Sequence, residues 1–266
     1  MTNPLVSVCM ITYNHEKFIA EAIYGVLMQE VDFEVELIIA DDCSTDRTGE
    51  IVKTFIDSHP KGHWIKYTRH KKNLGMMPNF IWALESCQGK YIAFCEGDDY
   101  WIDSNKLFNQ VFFLINNPNF SFSFHDAYYL YNGIKEKTFS DKYTFLNRGS
   151  KVFSIKDLEK YKWFIPSCSL VFRNFKIPNW LSKSSIGDFS IHLILSEIGD
   201  FYFHDSIWGV YRIHENGISQ RINTFSNRLN DISLWFTNIK GIRKVILFRW
   251  YFSVLWRFLK SKILNE

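Results

Sequence analysis

No two of the five cysteines (Cys9, Cys43, Cys87, Cys95 and Cys168) stand at a C-x-x-C spacing, and their number is odd. A disulfide framework or a zinc site is therefore not expected, and a reducing compartment fits best. The amino terminus lacks a basic stretch and a small-residue cleavage site, so no secretory signal is expected and a cytoplasmic location is. No strand-like run is followed by G-x-G-x-x-G or G-x-x-x-x-G-K-[ST], which disfavours a dinucleotide site and a P-loop. No internal repeat or low-complexity linker interrupts the 266 residues, a length that suits one large domain with or without an appendage. The body of the chain also lacks a basic stripe, so nucleic acid is excluded as a partner.

Charge is distributed unevenly. Residues 240–266 carry seven basic side chains and one acid, whereas the whole chain is only +3, so the body is slightly acidic. Aromatic residues make up 18% of the sequence. Such rings build cores, and they also form sugar-stacking platforms or membrane-interface belts.

The first hundred residues alternate between two periodicities. Apolar, β-branched runs at Leu5 to Ile11, Val35 to Ala40, Trp64 to Thr68 and Tyr91 to Cys95 read as buried strands. Between them, helices are expected over Glu16 to Gln29, Thr48 to Ser58 and Pro78 to Cys87. Strands at Phe120 to Tyr131, Ser167 to Arg173, Phe201 to His204 and Ile207 to Ile213, with a helix over Phe189 to Ile198, complete the pattern. The alternation predicts an α/β fold, a mostly parallel sheet flanked by helices. Ligands of such sheets bind beyond the carboxyl ends of the strands. The polar clusters Tyr13-Asn14, Asp41-Asp42 and Glu96-Gly97-Asp98-Asp99 all fall there.

Glu96-Gly97-Asp98-Asp99 places three carboxylates in four residues. Like charges so close repel, and a cation relieves them. Hard oxygen donors suit Mg²⁺ or Mn²⁺, ions that also bridge diphosphate oxygens. Gly97 permits a close backbone approach or an unusual dihedral. A solvated acidic turn is the bland alternative, but the cluster directly follows an apolar strand.

Taken in order, Thr12-Tyr13-Asn14, Asp41-Asp42-Cys43-Ser44-Thr45-Asp46, Asn73-Leu74-Gly75, Gly89-Lys90-Tyr91-Ile92-Ala93-Phe94 and Glu96-Gly97-Asp98-Asp99-Tyr100-Trp101 resemble the family 2 glycosyltransferases of the GT-A fold. The resemblance is dense over residues 5–115 and sparser over 160–220. It implies an inverting transfer from a nucleotide diphosphate sugar, a UDP-sugar by preference, to a hydroxyl of a glycan or lipid-linked glycan. It further implies nucleotide contacts from Thr12, Tyr13, Asn14, Asp42, Glu96 and Gly97, with Asp41 shaping the turn. Asp98 and His214, the latter in Tyr211-Arg212-Ile213-His214, would hold Mn²⁺ or Mg²⁺. Asp188, in Gly187-Asp188-Phe189, would be the catalytic base, a role compatible with capping the helix that follows. Asp99, Trp101 and Arg212 are candidates for donor or acceptor contacts. The other histidines, His15 among them, lack metal-ligand spacing and are expected to be structural; His125-Asp126 is the exception, at a strand end that would border the acceptor cleft. Cys168 has no evident base beside it, so no nucleophilic triad is implied.

The expected organisation is a GT-A domain over 1–224, with a nucleotide-binding half (1–115) and an acceptor-binding half (116–224), then a helical, basic-aromatic extension over 225–266. Trp250 to Trp256, the longest charge-free run of the extension, is far too short to span a bilayer. A helix lying in the membrane interface is expected instead, the alternative being a helix packed on the domain. Surface polysaccharide biosynthesis at the inner face of the membrane would follow. Two other classes stay open at this stage: a sugar nucleotidyltransferase, which would want a glycine-rich loop where Thr12-Tyr13-Asn14-His15 stands, and a non-catalytic membrane-docked scaffold.

Overall fold

A computed structural model describes residues 4–131, 133–148, 152–215, 217 and 224–263. The four apolar runs of the amino-terminal half form β1 (Val6–Thr12), β2 (Val35–Asp41), β3 (Ile65–Arg69) and β4 (Tyr91–Phe94). All four are parallel, in the order β3-β2-β1-β4. Between them lie α1 (Ile19–Leu27), α2 (Thr48–Ser58) and α3 (Met76–Ser86). Side chains alternate across the strands. Val6, Val8 and Met10 pack with α1, and Cys9 packs with α3 on the opposite face. That explains why these strands are apolar throughout rather than alternating.

The sheet continues through β9 (Val171–Arg173), β6 (Phe120–Tyr131), β10 (Asp200–Ile213) and β5 (Tyr100–Trp101). β9 runs antiparallel between β4 and β6, β10 is parallel to β6, and β5 is antiparallel to β10. Two short strands, β7 (Ile134–Thr138) and β8 (Val152–Phe153), add to β6 and β10. β1, β2, β3, β4, β6 and β10 thus share one direction and deliver their carboxyl ends to one rim. Their neighbours β5, β7, β8 and β9 run against them.

Several elements differ from the sequence expectation. The strand expected over 167–173 is shortened, because Ser167–Ser169 is a 3₁₀ turn. The two strands expected at 201–204 and 207–213 are one, interrupted by register shifts near His204, Ile207 and Gly209. Helix α1 begins three residues after Glu16. Helices α4 (Lys106–Asn116), α5 (Phe139–Lys142) and α6 (Ile155–Tyr161) were not foreseen; α5 and α6 each start with a capping box, Thr138/Asp141 and Ser154/Asp157.

Helix α7 (Gly187–Ser196) covers the β6 side of the sheet, followed after β10 by α8 (Phe225–Asn238) and α9 (Lys244–Ile263). The extension is tied to the domain. Ile232, Trp235, Ile239, Ile242 and Leu247 join the main core, and the Trp235 indole N–H donates to Ser190 Oγ at 2.9 Å. Asp231 accepts from Ser184 and Ser185, and Arg243 pairs with buried Glu159 at 2.7 Å. The core therefore runs across residue 225 without a break.

Candidate functional site

Register brings the strand ends together. Thr12 pairs with Asp41 at the end of the β1–β2 ladder. Beyond β4 the chain stays beside β1, with Cys95 N–H donating to Cys9 O at 3.2 Å and Gly97 N–H to Ile11 O at 3.0 Å. A Cβ on Gly97 would stand 2.8 Å from Thr12 Oγ1 and 3.0 Å from His15 Nδ1. Gly97 is not in the left-handed region, so glycine is required there by the close approach.

The loops after β1 and β2 are stitched to one another. Asn14 sits at φ 55°, a conformation asparagine tolerates. Its backbone N–H donates to Ser44 Oγ at 2.9 Å, and its Oδ1 accepts from Thr45 N–H at 2.8 Å. Asp41 is buried and accepts from Ser44 N–H and the Tyr67 hydroxyl, both at 2.7 Å, which is the turn-shaping role expected of it. Asp42 uses each carboxylate oxygen on a backbone amide, Leu74 N–H at 2.6 Å and Gly75 N–H at 2.9 Å. It thereby draws the Asn73-Leu74-Gly75 loop onto the rim. Tyr13 stands partly exposed beside them.

The acidic turn is held from the other side by β10. Asp99 is buried and accepts from Arg212 N–H at 2.7 Å. The Arg212 guanidinium donates to the Asp98 carbonyl and pairs with Glu21 at 2.6 Å. Two residues on, His214 Nε2 lies 3.0 Å from Asp98 Oδ2. A ring nitrogen of His15 completes a group in which His15, Asp98 and His214 each present one ligand atom within 4.8 Å of the others. Three polar atoms around this group are buried without a hydrogen-bond partner among the described residues: Thr12 Oγ1, His15 Nδ1 and Glu96 Oε2. Buried polar atoms are normally satisfied, so orphans clustered on one rim mark a place that a bound ligand completes. A divalent cation fits this donor set.

The electrostatics agree. Burial works to raise the Asp98 carboxyl, but the bond to His214 and the neighbouring imidazoles override it and hold it below the usual range. Burial, with the Asp98 and Asp188 charges added, pushes Glu96 up to about 8. Burial, with the Asp98 and Glu96 charges added, raises Asp99. A cation at the turn would favour its ionised form. Ser167 lies near enough to Glu96 to ease its charge, which sets the 3₁₀ turn before β9 beside the rim.

Asp188 lies in the first turn of α7 and caps it locally, Phe189 N–H donating to its Oδ1 at 2.7 Å. Its charge is felt by Glu96 and by Tyr211, so the first turn of α7 lies near the same rim. Burial raises its carboxyl. Beside His214 opens a cavity of about 560 Å³ whose walls include Lys17, Phe18, Glu21, Tyr100, Lys135 and Arg212.

Trp101 is not on this surface. It is 2% exposed, with its indole N–H donating to Cys168 O at 2.7 Å, a core residue rather than a contact for sugar. The Asp99 and Arg212 side chains are likewise spent within the protein, on the contacts just described. His125 is fully buried, its Nδ1 2.7 Å from Asp126 O, and does not reach the rim. The correction in the other direction is His15. Set aside as structural on sequence spacing, it is brought into the ligand group, and its place directly after Tyr13-Asn14 at a strand end was the available signal. Glu21, partner of Arg212, had no such signal, being one acid on an amphipathic helix.

Comparison with known proteins adds to this geometry. The sequence pattern of the family described as Glycosyl transferase family 2 matches residues 7–176, more than half of the chain. The Escherichia coli UDP-Glc:alpha-D-GlcNAc-diphosphoundecaprenol beta-1,3-glucosyltransferase WfaP is 33% identical over 127 residues, 47% of this chain and 46% of its own, so the chain spans less than half of that protein's length. The structure of Staphylococcus aureus TarS (residues 1–349) with UDP-GlcNAc resembles 94% of the chain over 71% of its own, with a TM-score of 0.66 at 16% identity. The Pyrobaculum calidifontis mannosyltransferase PcManGT, solved with GDP-Man and Mn²⁺, resembles 95% over 70% of its own, with a TM-score of 0.67 at 16% identity. The two structures share its GT-A fold. With the strand-end motifs, the fold and the family pattern in agreement, the chain is a member of glycosyltransferase family 2.

Proposed function

We propose that the chain is an inverting glycosyltransferase that moves a sugar from a UDP-sugar to a hydroxyl of a lipid-linked glycan in surface polysaccharide assembly. The observation that carries this reading is the convergence on one rim of the Asp98–His214 pair, the Asp188 carboxylate and three buried polar atoms without partners. Tyr13 and the rim loops tied by Asn14 and Asp42 form the side that would receive the base. Asp98 and His214 would hold Mn²⁺ or Mg²⁺, an ion that neutralises the diphosphate and stabilises it as a leaving group. Asp188 takes the proton of the acceptor hydroxyl as that oxygen attacks the anomeric carbon from the face opposite the diphosphate. Half-buried at the start of α7, the carboxylate stays within reach of an acceptor at the rim. Lys17, Lys135 and Arg212 make the neighbouring cavity net basic, which favours the anionic donor or a phosphate-bearing acceptor. The UDP preference and the lipid-linked acceptor are supported by what TarS binds and by what WfaP acts on.

The same reading places the chain at an anionic membrane surface. On α9, Val245, Phe248, Phe252 and Trp256 form an exposed apolar stripe, with Trp256 63% exposed. Arg249 and Arg257 stand exposed on the adjacent face. No described helix is long and apolar enough to cross a membrane, and an apolar stripe beside a basic one is the pattern of a helix lying in the interface.

The test is a thermal-shift screen of UDP-, GDP- and dTDP-sugars with and without Mn²⁺, followed by transfer assays of Asp98→Asn and Asp188→Asn. A donor that raises the melting temperature and is transferred by the wild type alone is the expected outcome. Full activity in both variants would end this mechanism.

A further inference from the structure

We infer that His15 is a third protein ligand of the divalent ion, and that the resulting pair of imidazoles with one carboxylate selects a first-row transition ion over Mg²⁺. The inference rests on the transferase reading only in taking the ion to sit between the rim and a diphosphate.

Four observations place His15 in this role. Its ligand atom falls within 4.8 Å of those of both Asp98 and His214, whose side chains already touch at 3.0 Å. Its Nδ1 is buried, has no hydrogen-bond partner among the described residues and faces the acidic turn, where an ion would supply the missing partner. Its main chain is pinned on both sides. The His15 N–H donates to Thr48 Oγ1 at 2.9 Å, and its carbonyl accepts from Phe18 and Ile19 N–H at 2.9 and 2.8 Å. The ring is therefore aimed by the fold rather than free to turn toward water. Finally, the residue that leaves room for that nitrogen is Gly97, within the acidic turn itself, where a Cβ would lie 3.0 Å from Nδ1.

The selectivity follows from ligand chemistry. Mg²⁺ takes oxygen donors in a near-ideal octahedron and gives up water reluctantly. Imidazole suits the transition ions, and affinity for a nitrogen-bearing site rises along the series from Mn²⁺ to Co²⁺ and Ni²⁺. A set of two imidazoles and one carboxylate leaves the remaining positions open for phosphate oxygens and water.

The experiment is titration of the full chain with MnCl₂, in the presence of UDP, followed by the loss of the free-ion paramagnetic resonance signal, with MgCl₂ as competitor. CoCl₂ gives a parallel visible-absorption readout of nitrogen ligation. The wild type is expected to retain Mn²⁺ against about a hundredfold excess of Mg²⁺. His15→Ala is expected to weaken Mn²⁺ binding at least about tenfold, as loss of even an outer-shell partner does, with little change for Mg²⁺. His15→Asp, which exchanges nitrogen for oxygen, should narrow the gap between the two ions, and it serves if the alanine variant does not fold. Equal Mn²⁺ affinity in wild type and His15→Ala, or Mg²⁺ binding as tight as Mn²⁺ in the wild type, overturns the inference. UDP binding by thermal shift on the same samples separates the two failures. UDP bound with Mn²⁺ affinity indifferent to residue 15 sinks this inference alone, and absence of any UDP binding sinks the transferase reading beneath it.

Discussion

His214 Nε2 stands 3.0 Å from Asp98 Oδ2 across 116 residues of chain. The contact exists because β10 ends beside the turn that follows β4, and because Arg212 fastens the two through Asp99 and the Asp98 carbonyl. The pair is thus a junction between the β1–β4 part of the sheet and β10. Replacing His214 with Ala should leave the fold intact, since Arg212 still anchors the strand end. The expected loss is in kcat, by about a hundredfold or more if the imidazole helps to stabilise charge developing on the diphosphate. Steady-state kinetics with saturating donor measures it. A change confined to KM would instead assign His214 to uniform ground-state binding.

Asp188 makes a prediction about pH. A general base works only when ionised, and burial has raised this carboxyl above its ordinary value. The acid limb of the pH–rate profile should therefore lie above the usual carboxylate range, with activity falling as pH drops through the raised value. Asp188→Asn should remove that limb together with about a hundred- to ten-thousandfold of the rate. Asp188→Glu should keep a limb at reduced rate. A profile of kcat/KM for the three proteins decides the matter. An unchanged limb in the asparagine variant would assign the titration to another group.

Much of this site was legible in the sequence because parallel sheets advertise their rims. Apolar strands end abruptly at polar clusters, and Tyr13-Asn14, Asp41-Asp42 and Glu96 to Asp99 all arrive where the pattern puts them. What the pattern does not carry is how each side chain is spent. Asp42 looks from sequence like a group aimed at a base, yet both its oxygens accept from the 74–75 backbone. Trp101 follows the acidic turn and turns inward, since β5 pairs with β10 and its indole needs a buried acceptor. His15 cannot be grouped with Asp98 and His214 by spacing, because metal-ligand spacing is a local rule and these three residues follow three different strands. Helix α4 carries helical spacing at Leu107, Val111 and Leu114 that the strand-end reading does not use, whereas α5 and α6 span only 4 and 7 residues, too few for a period to show.

Lys106 gives a prediction about stability. The residue is fully buried, its ammonium nitrogen has no hydrogen-bond partner among the described residues, and it lies 3.7 Å over the Trp101 ring. Burial pulls its pKa down to about 7. In the unfolded chain the amine is protonated below about 10.4. Folding therefore loses stability as pH falls from that value to about 7, and below 7 the loss is complete. Lys106→Met fills a similar volume without an ionisable group. It should stabilise the protein by about 1–4 kcal/mol at neutral pH, less whatever the ring contact returns. Denaturant melts at several pH values test the sign. The advantage of the variant should be small near pH 10, grow on the way down to neutrality, and then level off. A variant less stable than wild type at pH 7 would mean that the ammonium–indole contact outweighs the cost of burial.

The exposed stripe on α9 is the remaining test. Val245, Phe248, Phe252 and Trp256 recur at helical spacing on the side away from Leu247, Trp250 and Val254, which pack on the core. Burying a phenylalanine-sized side chain contributes about 1.5–3 kcal/mol, so three such residues entering the acyl boundary outweigh the cost of confining the protein at a surface. The basic residues beside them add attraction to anionic headgroups, worth about 1 kcal/mol each near the surface. Cosedimentation with phosphatidylglycerol-containing vesicles should therefore deplete the protein from solution, and neutral phosphatidylcholine vesicles should do so less. Phe248→Ser combined with Phe252→Ser should abolish binding at any salt concentration. Arg249→Gln with Arg257→Gln should weaken it only on the anionic vesicles, and added salt should mimic that variant. Both pairs lie outside the core contacts of Trp235 and Leu247, so melting temperatures should hold. A doubly serine-substituted protein that still sediments with vesicles would mean that the stripe covers something other than lipid.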